Sequence, residues 1–394
     1  MFFRHTSEKM IAPGLRKRGR TDADSDELLA LKQDILACTR IQLFPKSKTH
    51  KERTIKIENP IASGGQNEIW DLPENTGFVI RLTHRFNYLD TDPKFKRMRN
   101  MFEKEASYMQ ELNKCCPNVP PVIEWGEYAC LTKENRTVRG FYMIQPKLRP
   151  FNEIFSKQLD IETAQKCVVD MLRSVACMHK HGLVHCDIKP ANFMVDESGD
   201  VPRVLLTDFG SARVDGQRIG PVSTAYVPPE MFISDDRNKP ANTPGRRLER
   251  KRAFATTEFD CWSLGLSILE FLAHNVIERN GSEQPVIEKP KNKLFMKPID
   301  HNELFDYCER VGDWGGFDMM GEVLMGLLSY NEPDEDGKRI GNEERISAQT
   351  ALDMLVPPMA PSTPEQNHTN TSPDSNAPTP LLSMRFSKLY LRKS

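Results

Sequence analysis

The residues with the clearest capacity for chemistry lie in residues 184–195, which read VHCDIKPANFMV. Here Asp187, Lys189 and Asn192 stand between two apolar segments, so the sequence predicts a loop whose ends are fixed by buried flanks. Such a loop could hold its polar side chains over a cleft. Because an Asp near a Lys is also common on protein surfaces, the rest of the chain must decide between these interpretations.

A second polar group follows an apolar run further along the chain. Residues 205–210 read LLTDFG, a strand pattern that ends in Asp208, Phe209 and Gly210. An Asp-Phe-Gly sequence alone indicates only a turn. Its occurrence shortly after a His-x-Asp-x-Lys-x-x-Asn pattern is much less easily attributed to chance, and indicates that the two segments belong to one site.

Together these motifs resemble the eukaryotic-type protein kinases, whose signature is a catalytic loop with Asp and Asn, then DFG, then a Pro-Glu motif. The resemblance extends over residues 54–356. Pro-Pro-Glu at residues 228–230 occupies the place of the Pro-Glu motif, and DCWSLG at residues 260–265 resembles the buried helix that anchors the large lobe. The resemblance also implies a buried ion pair between Arg345 and Glu230.

The resemblance assigns a role to each residue of the loop. Phosphoryl transfer is catalysed mainly by positioning and by neutralising charge. Asp187 is expected to accept or orient the substrate hydroxyl proton, and Lys189 to neutralise the γ-phosphate of ATP. Asn192 and Asp208 are expected to bind Mg²⁺. The Lys that stands two residues after the catalytic Asp is typical of the Ser/Thr-specific form, and Thr224 matches the threonine that favours such acceptors.

The expected nucleotide-binding residues in the first half of the chain follow the family pattern less closely. Residues 61–69, which run from Ile61 to Ile69, align with the glycine-rich loop, but Gly64 is the only glycine kept in register. Taken alone, this segment is typical of an ordinary hairpin turn. Loosely, the departure also resembles the divergent kinases of large DNA viruses.

The lysine of the third family strand is replaced by Arg81, which keeps the charge but presents a planar fork. Arg81 could pair with Glu105, the expected glutamate of the following helix, for which Glu103 is an alternative. Ile144 is the expected gatekeeper. The hinge would begin at Gln145, which is expected to contact ATP.

Control by phosphorylation is not favoured by the sequence. Cys186 stands where the family commonly has an Arg that binds a phosphate, and residues 212–222 contain no Ser, Thr or Tyr. Three functions stay open: an ATP- and Mg²⁺-dependent Ser/Thr kinase acting on protein substrates, a pseudokinase used as a scaffold, and a nucleic-acid binder. The last depends on the basic residues of segment 246–252, which lacks interleaved aromatic residues and is therefore the least favoured.

Composition is consistent with these functions and indicates the kind of cellular compartment to expect. The chain has 394 residues, with 54 basic and 55 acidic side chains, so net charge indicates no particular partner. The nine cysteines are scattered, without a CxxC pair, which favours neither a disulfide framework nor a zinc site. The sequence therefore predicts a monomer in a reducing cytoplasmic or nuclear setting, without a membrane span or signal peptide.

The domain organisation expected from these patterns is α+β, with a small β-rich lobe at residues 51–147 and a larger helical lobe at residues 148–356. Polar tails at residues 1–50 and 357–394 are expected to be disordered. Short β-rich runs predict strands in the first lobe, and helical spacing predicts a helix near residues 93–113. The expected strands lie at residues 54–57, 68–70, 78–82 and 141–144, and further expected helices at 168–178 and 261–272.

Overall fold

A computed structural model describes most of the region between the two predicted tails. Residues 1–39 and 357–394 lie outside its described part, as do Gly64, Thr224, Glu230 and most of the basic segment 246–252. The described residues are 40–57, 60–63, 67–72, 77–83, 93–131, 137–154, 159–199, 202–220, 226–228, 232–234, 248–250, 254–272, 301–312, 318–329 and 345–356.

The chain divides into two compact units. Unit 1 comprises residues 1–103 with 122–147, and unit 2 comprises residues 104–121 with 148–394. The described part of unit 1 contains one antiparallel sheet in the order β2-β1-β6-β7-β5-β4-β3. Its strands are β1 (Arg40–Pro45), β2 (Arg53–Lys56), β3 (Pro60–Ser63), β4 (Asn67–Asp71), β5 (Phe78–Thr83), β6 (Glu124–Leu131) and β7 (Thr137–Pro146).

One face of this sheet carries the apolar core of unit 1. Because successive side chains of a strand point to opposite faces, alternate residues such as Ile41 and Leu43 of β1 are buried while their neighbours are not. Strand β1 lies inside the segment expected to be a disordered tail. That expectation is wrong for residues 40–45, because the sequence analysis overlooked the alternation of two large apolar side chains within a polar stretch.

Helix α1 (Pro93–Asn113) begins in unit 1 and ends in unit 2. It confirms the helix expected at these residues, and four apolar residues at helical spacing are all buried: Phe102, Tyr108, Met109 and Leu112. The helix lacks acidic residues in its first turn and basic residues in its last. Its position therefore depends on packing of the apolar side rather than on end charges.

Unit 2 is mainly helical. Asp160 caps the longest of its later helices by accepting a hydrogen bond from the backbone N–H of Thr163. These helices are α2 (Phe151–Ile154), α3 (Ile161–Lys180), α4 (Thr257–Leu272), α5 (His301–Gly312), α6 (Asp318–Leu327) and α7 (Ala348–Leu355). Among the described residues, no helix is both long and apolar enough to cross a bilayer.

Helix α4 is buried almost all round, as its apolar sequence predicts. Its two buried serines donate to backbone carbonyls: Ser263 to those of Tyr226 at 2.8 Å and Phe259 at 3.1 Å, and Ser267 to that of Ser263 at 2.7 Å. A buried helix of this kind can position a neighbouring loop, since its serine hydroxyls need no solvent.

Short strands fix the ends of the loops in unit 2. Strand β10 lies between β8 and β11, and β9 pairs with β12, all antiparallel. The chain therefore enters and leaves the loop between β9 and β10 through paired backbone, as the apolar flanks predict. The bounds are β8 (Arg149–Pro150), β9 (Leu183–Val184), β10 (Phe193–Asp196), β11 (Arg203–Leu206), β12 (Arg213–Val214), β13 (Phe232–Ser234) and β14 (Leu248–Arg250).

Candidate active site

The loop between β9 and β10 is held by a carboxylate of helix α4. Asp260 is fully buried, and its two oxygens accept the backbone N–H of His185 at 2.6 Å and that of Cys186 at 2.9 Å. The ring of His179 lies 3.0 Å from the same carboxylate. Because a buried carboxylate is stable only when it is paired and hydrogen-bonded, these contacts determine the path of the loop.

The predicted catalytic residues of this loop contact one another. The ammonium of Lys189 lies 2.6 Å from a carboxylate oxygen of Asp187. The amide nitrogen of Asn192 donates to the backbone carbonyl of Asp187 at 2.7 Å. Since the nitrogen of this amide faces Asp187, its oxygen is the atom left to act as a ligand.

Asp208 lies just beyond β11, and its backbone is left-handed, with φ 62° and ψ 63°. This conformation is uncommon for a residue other than glycine and persists only where the surroundings impose it. Here Thr207 donates from its backbone N–H and its hydroxyl to the carbonyl of Asn192, at 2.8 and 2.9 Å. On the other side, the ring of Phe209 meets the ring of His185 edge-on at 5.1 Å.

The structure distinguishes the two candidate glutamates of α1. Glu105 is buried, and its carboxylate lies 3.7 Å from the position that a Cβ on Gly210 would take. Glu103 is part-exposed and bonds to the ammonium of Lys46 at 3.0 Å. Burial beside the DFG motif therefore favours Glu105, whereas Glu103 is explained by its surface ion pair. The ion pair between Arg81 and Glu105 stays a prediction.

The strand register of unit 1 groups several predicted nucleotide-binding residues on one face. Arg81 of β5 lies opposite Ile69 of β4 and Met143 of β7, and Val79 lies opposite Gln145. Because partners opposite each other point to the same face, Ile69, Arg81 and Gln145 share one face of the sheet.

Strand register separates the predicted gatekeeper, Ile144, from Arg81, and the gatekeeper assignment stays a prediction. Ile144 lies opposite Ile80, and both belong to the apolar core on the other face of the sheet. Gln145 is instead the residue near the end of β7 that shares the face of Arg81. A shift of one residue along a strand moves a side chain to the opposite face, so motif spacing alone could not settle this assignment.

The side chain of Arg81 is almost completely buried, and its guanidinium lies 5.8 Å from the ring centre of Phe102 in α1. This contact is within range of a cation–π interaction. Ile61 of β3 is half-exposed, whereas Gly64 lies outside the described residues. The face thus carries a positive charge at the place of the family lysine.

The model of the protein kinase domain family matches residues 88–305, more than half of the chain. The chain belongs to the protein kinase family. The bilobal α+β fold expected from the sequence is thereby confirmed.

Among curated relatives, the chain is similar to three proteins named as serine/threonine-protein kinases. It is 26% identical to dkf-1 of Caenorhabditis briggsae over 186 residues, 46% of this chain and 22% of the relative. For dkf-2 of the same organism the identity is 30% over 145 residues, 36% of this chain and 10% of the relative. For PknA of Mycobacterium tuberculosis it is 27% over 192 residues, 46% of this chain and 42% of the relative. The chain thus spans less than half of each relative's length, and the viral resemblance stays a prediction.

This kinase domain places Cys186 in an apolar environment. The residue is fully buried with a left-handed backbone, φ 63°. Burial, and to a lesser extent the charge of Asp260, raises the pKa of the Cys186 thiol, which therefore stays neutral. The apolar cluster around it comprises Val184, Val227, Ala255 and Phe259, with Ile219 packed against it.

The backbone after the DFG motif of the kinase domain is paired on two sides. Strand β12 pairs with β9, and Asp215 donates to the carbonyl of Gly182 at 3.0 Å. Gly216 donates to the carbonyl of Ala255 at 2.8 Å, and Ala255 to that of Gln217 at 2.7 Å. Residues 212–217 are therefore attached to both the loop before Asp187 and the segment before α4.

The expected partner of Arg345 in the kinase domain, Glu230, lies outside the described residues. Arg345 itself is buried and donates to the carbonyls of Ser329 at 2.9 Å and Glu258 at 3.0 Å. Its guanidinium also lies 5.1 Å from the ring centre of Trp262. Arg345 therefore links α4 to the segments that follow α6 and precede α7.

Sequence reasoning missed the role of Asp260. The residue was recognised as the start of a buried helical motif, but nothing in its spacing predicts which backbone groups it accepts. A signal was present, because an acidic residue at the start of an apolar helix must find donors when it is buried.

We expect the substitution Asp260→Asn to loosen the loop of this kinase domain. An amide has one acceptor oxygen, so the amides of His185 and Cys186 cannot both keep a side-chain acceptor. The free energy of unfolding should fall by about 2–4 kcal/mol. Amide hydrogen exchange at the two residues should accelerate, which mass spectrometry measures. Glu258→Gln, in the same helix, is the control, and unchanged protection in Asp260→Asn would contradict this role.

Proposed function

We propose that the chain is an active serine/threonine protein kinase that transfers the γ-phosphate of ATP to protein hydroxyls. The observation that carries this proposal is the arrangement of Asp187, Lys189 and Asn192 on a loop held by Asp260. Catalysis of this reaction depends mainly on positioning, and such a loop supplies it.

In the proposed reaction, Asp187 orients the acceptor hydroxyl and takes its proton. Lys189, 2.6 Å from that carboxylate, contributes positive charge beside the transferred phosphoryl group. The left-handed backbone of Asp208 fixes the direction in which the second carboxylate is presented.

The donor set fits Mg²⁺. Asp208 offers an exposed carboxylate, and Asn192 offers an amide oxygen because its nitrogen is turned toward Asp187. Both are oxygen ligands of the kind that this ion prefers. When bound, Mg²⁺ would neutralise part of the phosphate charge. Arg81 keeps the positive charge of the family lysine, which meets the phosphates of ATP in the family pattern.

Specificity for Ser and Thr is supported by Lys189, which stands two residues after Asp187, and by similarity to relatives named as serine/threonine-protein kinases. From the scattered cysteines of the sequence we propose a reducing cytoplasmic or nuclear setting, in which the Cys116–Cys177 disulfide would be reduced, and we propose that the enzyme acts there as a monomer on protein substrates.

We further propose that activity does not require phosphorylation of the activation segment. In kinases controlled in this way, new ion pairs between Arg and phosphate order the segment. Here a neutral thiol stands at the place of that Arg, in an apolar cluster that includes Val227 and against which Ile219 packs. Apolar burial and backbone pairing thus take over the ordering function.

A pseudokinase is the second candidate, and Arg81 is the observation that favours it. A buried guanidinium beside Phe102 cannot make the same compact contact with phosphate as an ammonium. The two candidates differ in one observable property. Both would bind nucleotide, but the pseudokinase would transfer no phosphate.

The test of the main proposal compares Asp187→Asn with Asp208→Asn. Both should lower transfer of labelled phosphate to a generic basic protein by at least about 100-fold. Nucleotide titration should separate them, because Asp208 binds Mg·ATP whereas Asp187 faces the acceptor. If Asp187→Asn weakens Mg·ATP binding as much as Asp208→Asn, the assigned roles are wrong. Nucleotide binding without transfer by the wild-type chain would favour the pseudokinase.

Arg81→Lys tests the departure from the family pattern. A lysine can contact phosphate oxygens and Glu105 together, so activity should rise or stay unchanged, as measured by kcat and by KM for ATP. Arg139→Lys, an exposed position on β7, is the matched control. Loss of transfer in Arg81→Lys alone would mean that the site is built around the guanidinium and its contact with Phe102.

Phosphatase treatment tests whether activity requires phosphorylation of the activation segment. The treated enzyme should keep its activity within about twofold, since no phosphate contributes to the packing around Cys186. Mass spectrometry verifies that phosphate was removed. A large loss that is restored by phosphate on Ser211 or Ser223 would disprove this part of the proposal.

A further inference from the structure

Four side chains that ligate soft metals meet at one end of two helices in unit 2. Cys115 and Cys116 lie in the turn after α1, and Cys177 and His181 lie at the end of α3. One ligand atom from each residue lies within 4.8 Å of the other three. The sequence predicts no zinc site, because its cysteines are scattered and include no CxxC pair. The fold brings the four side chains together.

Two distances between ligand atoms of this cluster are close to those expected in a tetrahedral zinc centre. With Zn–S near 2.3 Å and Zn–N near 2.1 Å, two ligand sulfurs should lie about 3.8 Å apart, and sulfur and nitrogen about 3.6 Å. The sulfurs of Cys115 and Cys116 are 3.9 Å apart. The sulfur of Cys115 lies 3.2 Å from Nε2 of His181. These two distances therefore agree with the tetrahedral values to within a few tenths of an ångström.

The imidazole of His181 is oriented as a metal ligand would be. Its Nδ1 lies 2.7 Å from the backbone carbonyl of Cys177, which can only accept, so Nδ1 carries the proton. In the neutral ring Nε2 then has a free lone pair, and this atom faces Cys115. Metal-bound histidines commonly donate their other N–H to a carbonyl, which fixes the tautomer and the ring position.

A disulfide joins Cys116 and Cys177, whereas Cys115 carries a free thiol at the surface. Two thiol molecules can reduce this disulfide. They supply two electrons and two protons, two cysteine thiols form, and the two reductant molecules are joined in a disulfide of their own. Zn²⁺ binding by the three thiols then releases three protons, because the thiolate is the ligand. The four side chains can thus exist as a disulfide with a free thiol, or as a metal centre.

We propose that, in the reduced chain, Cys115, Cys116, Cys177 and His181 bind a structural Zn²⁺. Three thiolates and an imidazole are the donors of a closed Cys₃His zinc site, and they favour zinc over the hard cations used with ATP. The ion would join the ends of α1 and α3 at a point close to the catalytic loop in sequence, because α3 leads through His181 into β9 and His185. This site is separate from the proposed Mg²⁺ site and its test does not depend on kinase activity.

The experiment uses the full chain reduced with a phosphine, loaded with Zn²⁺, freed of excess metal and analysed by elemental mass spectrometry. We expect equimolar zinc in the wild type. In Cys115→Ser and His181→Gln, competition with a chromogenic chelator should show zinc affinity at least about 100-fold weaker. Loading with Co²⁺ should give the intense visible absorption of tetrahedral thiolate coordination in the wild type, and not in these variants.

Cys115→Ser is the decisive variant, because it removes a ligand while leaving the Cys116–Cys177 disulfide able to form. Cys167→Ser, a buried cysteine in α3 outside the cluster, is the matched control and should bind zinc like the wild type. Circular dichroism verifies that each variant folds. If the reduced wild type holds no more zinc than a Cys116→Ser/Cys177→Ser double variant, or if Cys115→Ser binds zinc with unchanged affinity, the proposal is wrong.

Discussion

The buried carboxylate of Asp260 is the interaction on which the catalytic loop depends. It accepts the amides of His185 and Cys186, and it lies beside His179 of α3, so it ties the catalytic loop and the end of α3 to the first turn of α4. A charge without solvent needs such donors, and the loop is the structure that supplies them. The surrounding apolar helix keeps water away, which makes each of these hydrogen bonds harder to replace.

The fixed backbone of the loop also determines where the predicted catalytic side chains lie. The anchored backbone places Asp187 where Lys189 and Asn192 can reach it, and the carbonyl of Asn192 in turn accepts from Thr207 beside the DFG motif. The left-handed backbones of Cys186 and Asp208 are maintained by these contacts. Catalytic geometry therefore follows from backbone hydrogen bonds to buried groups more than from the exposed side chains themselves.

The cysteines of this chain show how one residue type takes on different tasks in different surroundings. Cys186 belongs to a buried cluster of apolar side chains, where it packs as a small hydrophobe. Cys115 lies at the surface next to an imidazole and two further sulfurs, where metal or redox chemistry is open to it. Composition cannot distinguish these cases, because burial and neighbouring donors decide the reactivity of a thiol.

Sequence alone was sufficient to predict the family, helix α1 and the catalytic motifs, because each of them depends on short-range spacing of residues. Periodicity predicts which side of α1 is buried, and the roles of Asp187, Lys189, Asn192 and Asp208 were assigned from motif order. Those assignments stay predictions, but the structure brings the first three into contact. Only tertiary structure decided that Gln145, and not Ile144, shares the face of Arg81, and that β1 joins the sheet. It also decided which donors Asp260 would meet and that Cys115 would lie against His181. Strand register and long-range contacts are set by packing between distant segments, and no local pattern in the chain encodes them.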